Sequence, residues 1–118
     1  MSSRAIVVAF HKYTPFGGEF YEPLLDLFLE NIKKYRDEFD TLYLIDSLWG
    51  IPESKDYTVF KRELDGHHWV QFKWVIPKIK EESMLFLDDD VEIYKKGIID
   101  SWFKKIEEGY DFVGSFDG

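Results

Sequence analysis

Three consecutive carboxylates, Asp88, Asp89 and Asp90, follow the apolar run MLFL at residues 84–87. In an extended backbone successive side chains alternate sides, so Asp88 and Asp90 face one way and Asp89 the other. Two carboxylates on one side repel each other and do not both stay ionised cheaply without a partner. A divalent cation relieves that repulsion. Mg²⁺ and Mn²⁺ prefer oxygen ligands, often take one or two carboxylates, and leave the remaining positions to phosphates and water. A D-x-D at the carboxyl end of a buried strand is therefore an arrangement able to hold a metal–diphosphate. The competing reading is a solvated acidic turn in which one Asp caps a backbone N–H. The apolar run before the cluster favours a strand end over a surface tip.

The other chemistry-bearing residues are sparser. Asp46 closes the apolar stretch TLYLI, and His11 follows AIVVAF. The adjacent His67 and His68 lack the three- or four-residue spacing that sets two histidines on one helical face for zinc. The stretch TPFGGEF lacks the G-K-[ST] ending of a phosphate-binding loop, and no G-x-G-x-x-G follows the first apolar run. The absence of cysteine excludes disulfides and thiolate metal sites.

These residues need elements to position them. Ala5 to Phe10 reads as a fully buried strand, because it is apolar without interruption and rich in β-branched residues. A loop punctuated by Pro15, Gly17 and Gly18 follows, and Pro23 suits a first helical position. Leu24, Phe28, Ile32 and Tyr35 recur at helical spacing, predicting a helix from Pro23 to about Asp37. Thr41–Ile45 is the second predicted strand and YTVFKRE the third. Asp65 suits an N-cap for a helix through GHHWVQFKWVI, which Pro77 should end or kink near Ile76. Met84–Leu87 is the fourth strand. Ile98, Ile99, Trp102, Phe103 and Ile106 mark an amphipathic helix stopped by Gly109, and YDFVGSF is a fifth strand. Alternating strands and helices predict an α/β fold: a mostly parallel sheet of about five strands with helices on both faces. Such sheets bind ligands outside the carboxyl ends of their strands. That rule selects the loops after Phe10, Ile45 and Leu87.

The 118 residues suffice for one domain, here 1–118, with one core. A net charge of -8 argues against a nucleic-acid groove, which needs a basic face. An acidic protein that binds an anionic ligand needs a bridging cation or clustered N–H donors. No apolar run reaches the roughly 18 residues of a membrane span, and the N-terminus reads as a strand rather than a leader. With no cysteine, this fits a cytoplasmic protein.

The segment SMLFLDDDVEIYKKGIIDSWFKKIEEGYDFVGSF resembles the central part of a GT-A-type glycosyltransferase, where an apolar strand ends in D-x-D and a helix and a further strand follow. AIVVAFHKY is similar to the first nucleotide-binding strand and loop of that family, and LYLIDS to its second strand. The resemblance implies a Rossmann-like three-layer sandwich, a nucleoside-diphosphate sugar as donor, a hydroxyl on a glycan, lipid or protein as acceptor, and Mn²⁺ or Mg²⁺ as cofactor. Carried onto this chain, it implies that Asp90 coordinates the metal and that Asp88 shares the metal or contacts the ribose. Asp89 belongs with the nucleotide-binding set. Asp46 would sit beside the base, Phe10, His11 and Tyr13 would line the nucleotide pocket, and Lys73 would reach toward the nucleotide or diphosphate. Trp49, in the loop after Asp46, is placed to stack on a base or sugar. Lys73 also reads as an ordinary solvated helix residue, and Asp46 as a simple strand end.

The family's second half, which carries the acceptor site and the catalytic base, has no counterpart here. The chain is accordingly expected to be the donor-binding half of a longer transferase, with Asp117 the carboxylate nearest to a base position. Two further readings compete. A phosphatase of the haloacid dehalogenase type also ends a strand in D-x-D, but near its start and with Thr or Val where Glu92 stands. A non-catalytic nucleotide-sugar-binding module would share every feature of the donor site. A receiver domain needs an acidic pair after its first strand, where this chain has Phe10, His11 and Lys12.

Overall fold

A computed structural model describes residues 3–11, 24–62, 68–89 and 91–109. Four strands run through them: β1 (Arg4–His11), β2 (Thr41–Ser47), β3 (Thr58–Lys61) and β4 (Ser83–Asp88). They form one sheet in the order β3-β2-β1-β4, and each neighbouring pair is parallel. Three helices accompany them: α1 (Leu24–Lys33), α2 (His68–Val75) and α3 (Ile98–Glu107). The expected fifth strand, at 110–116, lies outside the described residues.

β1 is the keel of the sheet. Ala5 through Phe10 are each 0% exposed, because β1 has a strand on either edge and side chains packed on both faces. Ile6, Val8 and Phe10 join a cluster with Leu25, Phe28 and Ile32 of α1 and Ile99 and Phe103 of α3. Ala5, Val7 and Ala9 join a second cluster with Tyr43, Ile45 and Val75, against which Phe72 and Trp74 of α2 pack. The period-two division of one continuous apolar run between two cores is what a central parallel strand requires.

Several boundaries differ from the sequence expectation. α1 stops at Lys33 instead of continuing to Asp37. Lys34 and Tyr35 donate backbone hydrogen bonds to the carbonyls three residues back, tightening the end of the helix, and a 3₁₀ turn, Arg36–Glu38, follows. β2 runs two residues past Ile45, since Phe10 pairs with Asp46 and His11 with Ser47. Pro77 acts as expected: α2 ends at Val75 and Ile76–Lys78 form a 3₁₀ turn. The connection from β2 to β3 uses no helix. Residues 48–57 cover the sheet themselves, with Ile51 buried and Trp49 and Tyr57 against the first cluster.

Charges tie the elements together near the amino ends of the strands. Arg4 grips Glu107 through two hydrogen bonds, of 2.8 and 3.1 Å, and Asp100 at 2.7 Å, while its guanidinium lies 5.3 Å from the Phe103 ring centre. The hydrogen bond from Arg4, with help from Lys104, holds the Asp100 carboxyl below the usual carboxylate range. Glu38 is buried, and its Oε1 accepts the backbone N–H groups of Gly97 and Asp100, capping α3 from another element. Glu81, just before β4, accepts hydrogen bonds from Tyr43 at 2.6 Å and Thr41 at 2.9 Å. It thereby links the entry of β4 to β2 across β1.

Among the described residues no helix is long and apolar enough to cross a membrane. The Tyr43–Glu81 bond has a pH signature. Burial and the hydrogen bond to Glu81 raise the Tyr43 phenol from 10.0 to about 12. Between those two values the fold keeps a proton that the unfolded chain releases, so stability falls as pH rises through that window. Of the seven tyrosines, Tyr43 should ionise among the last in a spectrophotometric titration at 295 nm. Tyr43→Phe should remove that late component and lower stability near neutral pH by about 1 kcal/mol in urea denaturation.

Candidate functional site

The carboxyl ends of the strands converge on one edge. From β1 the chain moves outward through β2 to β3, then returns by way of α2 to β4 on the opposite side of β1. The order therefore reverses between β1 and β4, and open α/β sheets bind ligands outside the carboxyl ends of the strands at such a reversal. Asp88 is the last residue of β4 and pairs with Ala9 of β1. The acidic cluster begins at this switch point.

β4 alternates as its sequence requires, with Leu85 and Leu87 toward the α1–α3 side and Phe86 against Phe72, ring centres 4.6 Å apart. Asp88 is exposed and Asp89 is only 3% exposed. The strand then turns: the Val91 N–H donates to the Asp88 carbonyl at 3.2 Å. The opposite facing of Asp88 and Asp89 agrees with strand alternation. Asp90, assigned from sequence as the metal ligand, lies outside the described residues.

A clasp fixes the segment that leaves this turn. Asn31 of α1 donates from Nδ2 to the Ile93 carbonyl at 2.8 Å and accepts the Ile93 N–H at Oδ1, also at 2.8 Å. Tyr35 donates to the same carbonyl at 3.1 Å. Asn31 and Ile93 are both buried, so these bonds are shielded from water. Between α1 and the turn lies a cleft of about 210 Å³, bordered by Leu24, Leu27 and Phe28 on one side and Asp89 and Glu92 on the other.

At β2 the geometry revises the role read for Asp46. Its carboxylate accepts the N–H of Trp49 at 2.7 Å, of Gly50 at 3.1 Å from each oxygen, and of Ile51 at 2.7 Å. Each oxygen thus accepts two hydrogen bonds, which fills the acceptor capacity of a carboxylate. Asp46 is 4% exposed and organises the 48–51 loop, so this arrangement offers no acceptor to a base. Gathering three consecutive N–H groups requires sharp backbone reversals. Gly50 has φ +87° and Leu48 φ +66°, the latter in a left-handed region that costs a leucine about 1–2 kcal/mol.

The remaining assignments separate clearly. Phe10 is fully buried, its ring edge-on to Phe28 and Trp49 with centres 5.7 Å away in each case, so its side chain belongs to the core. Trp49 is anchored there too and does not stand out as a stacking platform. His11 ends β1 opposite Ser47. Lys73 is exposed on α2, whose buried residues in that stretch are Gln71 and Val75. Tyr13 and Asp117 lie outside the described residues. Among the described residues no group of three or more His, Cys, Asp or Glu could hold a metal ion.

A polar network at the ends of β2 and β3 was not anticipated. Gln71, fully buried, donates to Ser47 Oγ at 2.9 Å, and Arg62 donates to Gln71 Oε1 at 3.0 Å. The Arg62 guanidinium lies 5.3 Å from the Trp74 ring centre, and its backbone N–H donates to the Asp46 carbonyl at 2.9 Å. The available signal was a lone amide in the otherwise apolar-rich helix HWVQFKWV.

Comparison with protein-family models, with curated proteins and with solved structures gives no match to this chain.

The Asp46 geometry generates a test of the loop. Asp46→Ala should destabilise the fold by about 2–3 kcal/mol in urea denaturation, because three backbone donors lose an anionic acceptor. Asp46→Asn should cost nearly as much, since its NH₂ group faces N–H donors.

Proposed function

We propose that this chain binds a nucleoside-diphosphate sugar through a divalent cation and forms the donor site of a GT-A-like glycosyltransferase. The observation that carries the reading is the position of Asp88: exposed at the carboxyl end of β4, beside β1, at the point where the strand order reverses. An acidic residue placed elsewhere on the edge would carry no such implication. The alternating Asp88 and Asp89, and the turn that starts at Asp88, are also consistent with D-x-D chemistry.

The donor set suits Mg²⁺ or Mn²⁺, which need only one or two carboxylates when phosphates and water complete the shell. Asp88 and Asp90 would hold the ion, and a fully protein-built cage is not required. When bound, such an ion supplies Lewis-acid neutralisation of the charge on the departing nucleoside diphosphate. The chain's own contribution is positional. The Asn31–Ile93 clasp fixes the segment leaving the acidic turn. Asp46 and Gly50 shape the loop beyond β2 that borders the same edge. In the transfer, an acceptor hydroxyl would attack the anomeric carbon as the bond to the diphosphate oxygen breaks. The base that takes the hydroxyl proton is unassigned.

The net charge of -8 sharpens the expectation, because a free nucleoside diphosphate is repelled in the absence of a cation. Calorimetric titration with the uridine, guanosine, cytidine and adenosine diphosphates should show one binding with Mn²⁺ and none without it. Asp88→Asn and Asp90→Asn, shown folded by circular dichroism, should each weaken that binding about tenfold or more. Binding of no nucleotide by the folded wild-type protein would contradict the reading. Metal-dependent binding without consumption of any nucleotide sugar would favour a non-catalytic binding module.

A further inference from the structure

We propose that Asn31 is the positioning residue for Asp90. By holding Ile93 it sets where the second metal carboxylate stands relative to the first, an assignment that rests on the donor-site reading above. Asp88 needs no such help. It ends β4 and pairs with Ala9 of β1, so the sheet ladder fixes its backbone. Asp90 comes two residues past that ladder. Its freedom along the chain is limited by Asp88 on one side and by the next anchored residue on the other.

That anchor is Ile93, which is 3% exposed and belongs to no strand. A buried backbone N–H and C=O outside a sheet each need a partner. The Asn31 side chain serves both from one planar amide: Oδ1 accepts the N–H and Nδ2 donates to the carbonyl, each at 2.8 Å. Tyr35 donates to the same carbonyl at 3.1 Å. The amide thus does for Ile93 what a neighbouring strand does for Asp88. Asn31 shares the buried side of α1 with Leu25, Phe28 and Ile32, which pack in one cluster with Ile6, Val8 and Phe10 of β1. Both anchors of the acidic turn therefore refer to the same strand, one through the ladder and one through the helix.

Three residues lead from Asp90 to Ile93, a reach of at most about 11 Å. Val91 lies within that span, packed against the first cluster, and its N–H returns to the Asp88 carbonyl. Releasing Ile93 lengthens the tether on Asp90 and leaves Asp88 where the ladder puts it. Outer groups that orient a metal ligand typically govern affinity by about tenfold or more.

A double-mutant cycle separates positioning from structural support. Mn²⁺–pyrophosphate is titrated calorimetrically into the wild type, Asn31→Leu, Asp88→Asn, Asp90→Asn, and the two double variants that join Asn31→Leu to each aspartate change. Thermal melting is followed in parallel. Asn31→Leu keeps the side chain's bulk and loses both hydrogen bonds, and should weaken binding about tenfold. Added to Asp90→Asn it should cost less than about twofold, because the ligand it positions is already gone. Added to Asp88→Asn it should cost its full effect. Lower melting with unchanged affinity, or equal losses in the two backgrounds, would overturn the assignment and leave the donor site standing. If Asn31→Leu does not fold, Tyr35→Phe, which removes only the 3.1 Å bond, takes its place in the cycle. It should weaken binding about threefold, with the same dependence on Asp90, and the same two outcomes would overturn the assignment. A folded wild type that binds no Mn²⁺–pyrophosphate would overturn the donor-site reading and this inference with it.

Discussion

The burial of β1 on both faces and along both edges is the constraint on which the arrangement depends. A strand with six consecutive fully buried residues supplies no surface of its own, so other elements must close around it. α1 and α3 cover Ile6, Val8 and Phe10, and α2 packs against the cluster of Ala5, Val7 and Ala9. Pairing on both edges forces the chain to travel out to β3 on one side and come back to β4 on the other. The reversal of strand order between β1 and β4 is a consequence of that route, and a polar residue ending β4 stands beside it.

The carboxylates divide into two populations by what surrounds them. Asp46 is filled by backbone N–H groups, Glu38 caps α3, Glu81 receives two hydroxyls, and Asp100 and Glu107 clamp Arg4. Each of these accepts hydrogen bonds from groups around it, and each ties elements or a loop together. Asp88 differs in position: it is exposed at the end of β4 beside β1, with another acidic residue directly after it in sequence. The structural carboxylates make the strongly acidic composition compatible with a folded core. On the proposed reading, Asp88 gives the same composition a chemical use, because an anionic ligand would reach such an acidic edge only with a cation between them.

Sequence periodicity made β1, α3 and the termination of α2 at Pro77 legible, since each is set by local pattern or by the missing N–H of proline. The parallel α/β class was legible for the same reason, with four strands among the described residues where about five were read. The overrun of α1 was not, because Tyr35 satisfies the helical spacing yet leaves the helix to reach the Ile93 carbonyl. Asp46 shows the same limit more sharply. Its place at a strand end could be read, but whether its oxygens face a ligand or three backbone N–H groups depends on the left-handed steps at Leu48 and Gly50. Gly50 hinted at such a step and Leu48 gave no hint. The Gln71–Ser47–Arg62 network depends on tertiary contacts that no spacing encodes. Asp88 was placed correctly at a strand end; the order of strands, visible only in the structure, is what sets it beside β1.

The central claim is that the end of β4 holds a divalent cation against a diphosphate. The most direct measurement is a crystal structure with Mn²⁺ and the bound nucleoside diphosphate, read through the manganese anomalous signal. The expected result is a single strong peak within coordination distance of a carboxylate oxygen of Asp88 or Asp90, with diphosphate oxygens completing its shell. A nucleotide bound elsewhere, or a peak remote from the carboxyl ends of β1 and β4, would contradict it.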